Sequence, residues 1–569
     1  MILSEKKMRM PGPSSLAVFF ISFWLVFAMH FYMPNAGGMG LSLPQNNITW
    51  MVMSAVIFIV GVAMFVQQRR LIMTGSIVLL FLGVILFGGW LLLTPEPWRG
   101  IALWRWAGLL LGTVFYFSLL QLSLTKLHKN IILYSVIISA FIQTALGCMQ
   151  YFSLMNGIPY PMVSGRPYGI FAQVNLLASF IVVGYALALT ALVLPGFRLR
   201  IIRREVARTT ALSMVIVTFS VAIMILQSRV GLVSFTLVSV LFGVFFLRPF
   251  PRRTAFALVL VSVGLILGFY SLSTGVSHAS SDSARMIMLR TALSMIAEKP
   301  LSGWGYGGFE YTFQQFRASL NQSTIGVGVA SHPHNELLFW WVEGGVVGLI
   351  NVLVFFSVGI LLALSTIRKY IKKTLSNDAQ CSAGIMLALI PLALHTQTEY
   401  PFYLSAAHFS LFIILLSFLD TPCPYSHAIK KKSDCRQFTL SIVLTAGALL
   451  SVVIVAGNMT GNLILTKFEK SGFKDIRALQ EMPVLSGLTT AERKNFDLHM
   501  YYLLQYNETK NENYLDMYVY WANNYLKSYV DRNVYVNLYL ILKHQGKNRQ
   551  AMLMKEKALE LFPDDARLH

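Results

Sequence analysis

Residues 331–348 read SHPHNELLFWWVEGGVVG, a polar stretch that turns into an apolar run of membrane length. His332 and His334 stand with Asn335 at its mouth, and Glu343 lies about 13 Å further in at 1.5 Å per helical residue. An unpaired carboxylate in hydrocarbon costs roughly 3 kcal/mol or more, so Glu343 should face the inside of a bundle or a wet cavity. Gly344, Gly345 and Gly348 offer a flat face on which a neighbouring helix can sit closely. For one histidine alone, a helix cap followed by a packing face is the simplest reading. The outward-facing residues elsewhere in the chain weigh against that reading.

Of 569 residues, 55% are hydrophobic and only 12% charged, and the mean hydropathy is +0.60. No soluble core needs so many separate apolar runs, each long enough for the ~30 Å of hydrocarbon in a bilayer. The class is therefore an all-α polytopic membrane protein. An excess of 46 Lys+Arg over 25 Asp+Glu would suit nucleic acid, but its placement argues against that partner. The basic residues cluster at alternate ends of apolar runs: Lys6, Lys7, Arg9; Arg69, Arg70; Lys126, Lys129; Arg198 to Arg208; Arg248, Arg252, Arg253; Arg368 to Lys373; and Lys430 to Arg436. That is the positive-inside pattern, which puts the N-terminus and these clusters in the cytoplasm.

Apolar runs fall near 16–33, 49–66, 71–93, 101–122, 131–151, 176–195, 211–227, 231–247, 254–270, 336–364, 381–395, 403–419 and 438–457. These give about thirteen crossings, the first expected to be an uncleaved span. A transmembrane domain over 1–457 then precedes an outer domain over 458–569, and the long loop 271–335 also lies outside. Four cysteines are too few for a disulfide framework, and Cys423, His427 and Cys435 lack a fourth zinc ligand. No metal or other cofactor is expected.

The tail is polar and rich in tyrosine. Tyr535, Leu538, Leu542, Gly546, Ala551, Ala558 and Pro563 sit close to the spacing of one tetratricopeptide-type hairpin, although Lys555 stands where an aromatic is usual. Such a helical module would either dock a protein partner or brace the outer loop.

Basic residues are few on the outer side, and each suggests an anionic ligand: Arg99, Arg105, Arg166, Arg229, Arg285, Arg290, Lys299 and Arg317. Arg229, in QSRVG, should sit at a span end. There a guanidinium is paired, grips an anion through its planar fork, or snorkels to the interface. Arg285 and Arg290 sit five apart on a helix, roughly 140° around its axis. The LSGWGYGGF loop offers glycines for close backbone approach but has no Walker lysine. QTEYP, residues 397–401, adds Glu399 to the outer face beside His395, and no DxD metal-sugar motif accompanies them.

The ordered set GRPYGIFAQVN, QSR, Arg285 and Arg290 with GWGYGGF, HPHNELLFWWVEGGVVG and EYP resembles the bacterial protein O-oligosaccharyltransferases, within the O-antigen ligase and polymerase superfamily. The His-x-His-Asn run marks only the superfamily. Gly165 to Asn175 resembles the protein-glycosylating branch, with Val174 where proline is common. The resemblance implies a Gram-negative inner membrane protein with its site and C-terminal domain in the periplasm. It implies transfer of a preassembled oligosaccharide from an undecaprenyl-diphosphate carrier to Ser or Thr of a secreted acceptor such as pilin. His334 becomes the candidate activator of the acceptor hydroxyl, and Arg229, Arg285 and Arg290 become candidates for the donor diphosphate.

The chemistry of these side chains agrees. A neutral imidazole suits a hydroxyl proton at ambient pH, and preorganised guanidinium groups can stabilise a leaving diphosphate without a metal. Arg166, Gln173, Asn175, His332, Asn335 and Glu399 complete the expected site by orienting sugar or acceptor, with helix capping as the other reading for the amides. Expected partners are the lipid-linked oligosaccharide, an acceptor protein and membrane lipid, with no nucleic acid. Ligation to lipid A core, polymerisation of O-antigen repeats and, more remotely, a transporter are the competing functions. A transporter would show repeats or midplane charges.

Overall fold

The computed structural model describes residues 12–33, 35, 37–67, 71–154, 166–272, 279–374, 376–420 and 435–569, and among them every regular element is helical. In chain order these are α1 (Pro13–Val26), α2 (Pro44–Gln67), α3 (Gly75–Leu91), α4 (Glu96–Gln121), α5 (Lys126–Tyr151), α6 (Val174–Val193) and α7 (Ile202–Leu226). Then come α8 (Arg229–Phe246), α9 (Pro251–Tyr270), α10 (Ala279–Glu298), α11 (Phe309–Ser319), α12 (Glu336–Lys372), α13 (Asn377–His395), α14 (Pro401–Leu404) and α15 (Ala406–Leu419). The chain ends in α16 (Cys435–Lys470), α17 (Ile476–Gln480), α18 (Val484–Thr509), α19 (Asn513–Tyr525), α20 (Arg532–His544) and α21 (Asn548–Leu561).

Among the described residues, eleven helices are long and apolar enough to cross a bilayer, and α3 and α15 are shorter apolar helices. Each apolar run expected from the sequence is thus helical, and the protein is an all-α polytopic membrane protein. Lys6, Lys7, Arg9, Arg69, Arg70, Gly165, Cys423, His427 and Lys430 to Lys432 lie outside the described residues.

Helix α6 is the axis of the bundle, buried from Leu176 to Val193. Small residues make this possible. A Cβ on Gly184 would run into Ala140 of α5, one on Gly231 of α8 would meet Ala178, and one on Gly384 of α13 would meet Thr190. Close approach through small side chains is how membrane helices gain packing without a hydrophobic drive between them. The N-terminal end of α6, carrying Gln173 and Asn175, therefore opens at the centre of one end of the bundle. At the opposite end Asp420 accepts hydrogen bonds from Thr74 Oγ1 (2.6 Å) and Tyr116 Oη (2.7 Å), and Arg208 pairs with Glu205 at 2.7 Å.

The long α12 is not one continuous helix. Gly345 has φ 56° and ψ −148°, a conformation open in practice only to glycine. The partner laid against it is the loop before α11 rather than the helix the sequence suggested. Trp304 N donates to Val342 O and Gly305 N to Glu343 O, both at 2.8 Å, while Val346 N donates to Leu301 O at 3.2 Å. The loop thus satisfies the carbonyls that the break would leave open, as irregular backbone at membrane depth requires. Any Cβ on Gly303 or Gly345 would collide with the backbone of the other segment. Of the glycines of GWGYGGF, Gly303 serves this packing, while Gly305, Gly307 and Gly308 make room for Trp98 and its neighbours at the start of α4.

The tail forms two antiparallel helix pairs. Tyr535, Leu538, Leu542, Ala551 and Ala558 are buried in the α20–α21 pair, and Gly546 turns between the helices at φ 70°. This module hydrogen-bonds to the segment between α10 and α12. Thr324 N and Oγ1 both donate to Leu561 O (3.0 and 2.7 Å), and Val530 N donates to Glu310 Oε1 at 3.2 Å. It also reaches the start of α4, where Ser528 Oγ donates to Pro97 O at 2.9 Å.

Candidate active site

The site is built around a carboxylate. Glu399 follows α13 by one turn and has a side chain only 2% exposed. Gln173 Nε2 donates to its Oε2 and Asn175 Nδ2 to its Oε1, each at 2.6 Å. Arg285 Nη2 donates to Oε1 at 2.6 Å, and His395 Nε2 lies 3.4 Å from Oε2. Burial alone would push this carboxyl up. The hydrogen bond and charge of His395, with the charges of Arg285 and His334, outweigh burial and hold it below the usual carboxylate range.

Asn175 is itself held by Ser228, whose Oγ donates to Asn175 Oδ1 at 2.6 Å and accepts from Gly231 N as the N-cap of α8. Arg229 is the next residue. Its guanidinium pairs with Asp282 at the start of α10, with both side chains about half exposed.

His334 sits between these groups and α12, with φ 58°, a left-handed conformation that histidine tolerates better than most residues. Its amide donates to His332 Nδ1 at 2.9 Å. The His332 ring is stacked on Tyr400 at 4.3 Å between centroids, and its Nε2 lies 3.8 Å from Glu336. His332 thus fixes the backbone of His334. Burial lowers the His334 imidazole below its usual range; Glu399 opposes this, Arg285 adds to it, and the Thr398 backbone opposes it. The ring is therefore neutral at pH 7, the form able to take a proton.

Two expected substrate-orienting groups also hydrogen-bond to the protein. Arg166 Nε and Nη2 donate to Leu226 O (3.2 and 3.1 Å), and Nη2 also reaches Gln227 O, capping the end of α7. Asn335 is the N-cap of α12, accepting from Leu338 N at 3.0 Å and donating to Gln397 O at 3.1 Å. Arg290 is exposed on α10, roughly 140° around the helix from Arg285.

His395 completes the network although its sequence position offered only the i,i+4 spacing to Glu399. Its Nδ1 meets Ser179 Oγ at 2.9 Å, and Ser179 meets His408 Nε2 at 3.2 Å. A second polar cluster lies behind His332, where Glu343 pairs with Arg105 at 2.6 Å and accepts from Phe309 N at 3.2 Å. This supplies the partner that Glu343 required.

Residues 214–367 match the O-antigen ligase family, and residues 385–569 match the C-terminal domain of virulence factor membrane-bound polymerases. Together the two matches support a place in the O-antigen ligase superfamily. The first match spans Arg229, Arg285, Arg290, His332 and His334, and the second spans His395, Glu399 and the whole tail. Arg166, Gln173 and Asn175 lie before both. No curated protein matches the chain.

Proposed function

We propose that this protein transfers a preassembled oligosaccharide from undecaprenyl diphosphate to Ser or Thr hydroxyls of secreted proteins, pilin-like ones among them, at the periplasmic face of a bacterial inner membrane. The observation that carries the reading is the joining of Arg285, Gln173, Asn175 and His395 on Glu399, with the neutral imidazole of His334 within electrostatic reach of that carboxylate.

In this reading His334 takes the proton of the acceptor hydroxyl as its oxygen attacks the anomeric carbon, and the bond from that carbon to the diphosphate oxygen breaks. Arg285 uses one N–H on Glu399, which leaves the rest of its planar fork for the departing diphosphate. Arg229 adds a second cation once the diphosphate displaces Asp282. In-line attack inverts the anomeric centre. Glu399 balances the cations and holds the amides of Gln173 and Asn175 in place.

The polymerase name of the C-terminal match favours a second reading, in which the accepting hydroxyl belongs to another glycan. The test is transfer by the purified protein from a defined lipid-linked glycan, offered pilin-type peptides, lipid A core or a second lipid-linked glycan, and read by mass. Glycan on peptide serine or threonine supports the proposal. Glycan only on core or on the second donor overturns it.

A further inference from the structure

Helix α16 runs well past the ~20 residues that a bilayer needs. Its exposed apolar side chains, from Phe438 through Ile442, Val443, Leu449 and Leu450, end at Val453. Polar anchoring follows at once. Asn458 Nδ2 donates to Leu41 O and Asn47 Oδ1, both at 2.7 Å, and Asn462 Nδ2 donates to Leu41 O at 3.1 Å. These bonds set the level of 458–462 beside the outer end of α2, where hydrocarbon gives way to headgroups.

The chain turns back after α16, and α18 then runs parallel beside this segment. A Cβ on Gly457 would touch Leu485, and one on Gly461 would meet Met482, Ser486 and Thr490. Farther along, Arg493 pairs with Glu469 at 2.7 Å. The first turn of α18 is therefore the part of the outer module nearest the bilayer. It is also the part with an unusual surface: Val484 is 89%, Leu488 53% and Leu485 45% exposed. No charged residue occurs from Met482 to Ala491. A contiguous apolar patch on a water-facing module marks something that covers it.

We infer that the tip of α18, through Val484, Leu485 and Leu488, is seated in the outer-leaflet lipid at the boundary between headgroups and acyl chains. Its occupant is phospholipid, since the patch adjoins the lipid-facing band of α16 and an apolar helical face rests at that depth. The outer module then stands on two supports. The α18 tip rests in lipid, while α19 to α21 hold α11 and the loop after it through Val530 and Leu561. The position of α10, which brings Arg285 to Glu399, is tied by that strut to the membrane surface.

The test places p-benzoylphenylalanine at Val484, at Leu488 and, as a control, at Leu504 of the full-length protein in phospholipid nanodiscs. Leu504 is exposed on the same helix about 30 Å farther out at 1.5 Å per residue. Irradiation should give phospholipid adducts by mass at 484 and 488, at least tenfold above the control. Adducts at 484 and 488 no more frequent than at 504, or cross-links between two copies of the chain instead, would overturn the inference. The readout needs no glycan transfer, so it stands or falls apart from the proposed activity.

Discussion

Arg285 on α10 binds Glu399, 114 residues further along the chain, through a 2.6 Å contact to a carboxylate shut away from solvent. This bond joins α10 to the end of α13, and through Asn175 and Gln173 to the central helix α6. Helix α10 is thereby placed over the end of the bundle at which α6 begins.

Replacing Glu399 by Gln should cost about 2 kcal/mol or more, because an amide cannot accept from Arg285, Asn175, Gln173 and His395 together. The sign of the pH effect follows from the depressed carboxyl. Its contribution is present above the unfolded value near 4.5 and is lost as pH falls through the folded one. Thermal melts across pH 3 to 7 should show wild-type protein losing its advantage over Glu399→Gln at the acid end. A constant gap across that range would mean that the carboxylate carries no charge worth holding.

For Arg229 and Arg285, the planar fork rather than the charge is at issue. Arg285→Lys keeps a cation beside Glu399 but loses parallel donors to a diphosphate, so transfer should fall at least tenfold with little change in melting temperature. Arg229→Lys should fall similarly, whereas Arg290→Lys should transfer as wild type does. Equal losses at all three would place Arg290 in the site after all.

The pH profile isolates His334. Its imidazole lies below the ordinary 6.5, so kcat/KM should be flat through pH 7 and should fall only at more acid pH. Arg285 pushes this imidazole down, so in Arg285→Gln the residual activity should show its acid limb moved upward. An unmoved limb would separate His334 from the arginine.

Gly345→Ala should destabilise by about 2 kcal/mol or more, since the left-handed backbone and the Leu301 carbonyl both exclude a Cβ. Gly359→Ala, in the open part of the same helix, should be tolerated. Paired unfolding curves check this, and similar stabilities would mean that the break can straighten.

The bundle was legible in the sequence because hydrocarbon imposes runs of membrane length, and thirteen such runs became helices. The break in α12 was not, because the apolar pattern from Leu337 to Leu364 continues across Gly345 without interruption. Among site residues, the types were legible and the partners were not. Arg166 and Asn335 stand out in the sequence as polar site candidates, but the carbonyls of Leu226 and Gln397 that they bind do not. His395 looks like a span end until α6 brings Ser179 against it. Such pairings depend on which helices are neighbours, and a hydropathy pattern holds no record of that.

The most direct measurement is glycan transfer by purified His334→Ala alongside its binding of the lipid-linked donor. With the donor site intact and the proton acceptor removed, binding should stay within about threefold while turnover falls by about a hundredfold to ten-thousandfold. Turnover near the wild-type rate would contradict the assignment of His334 as the base.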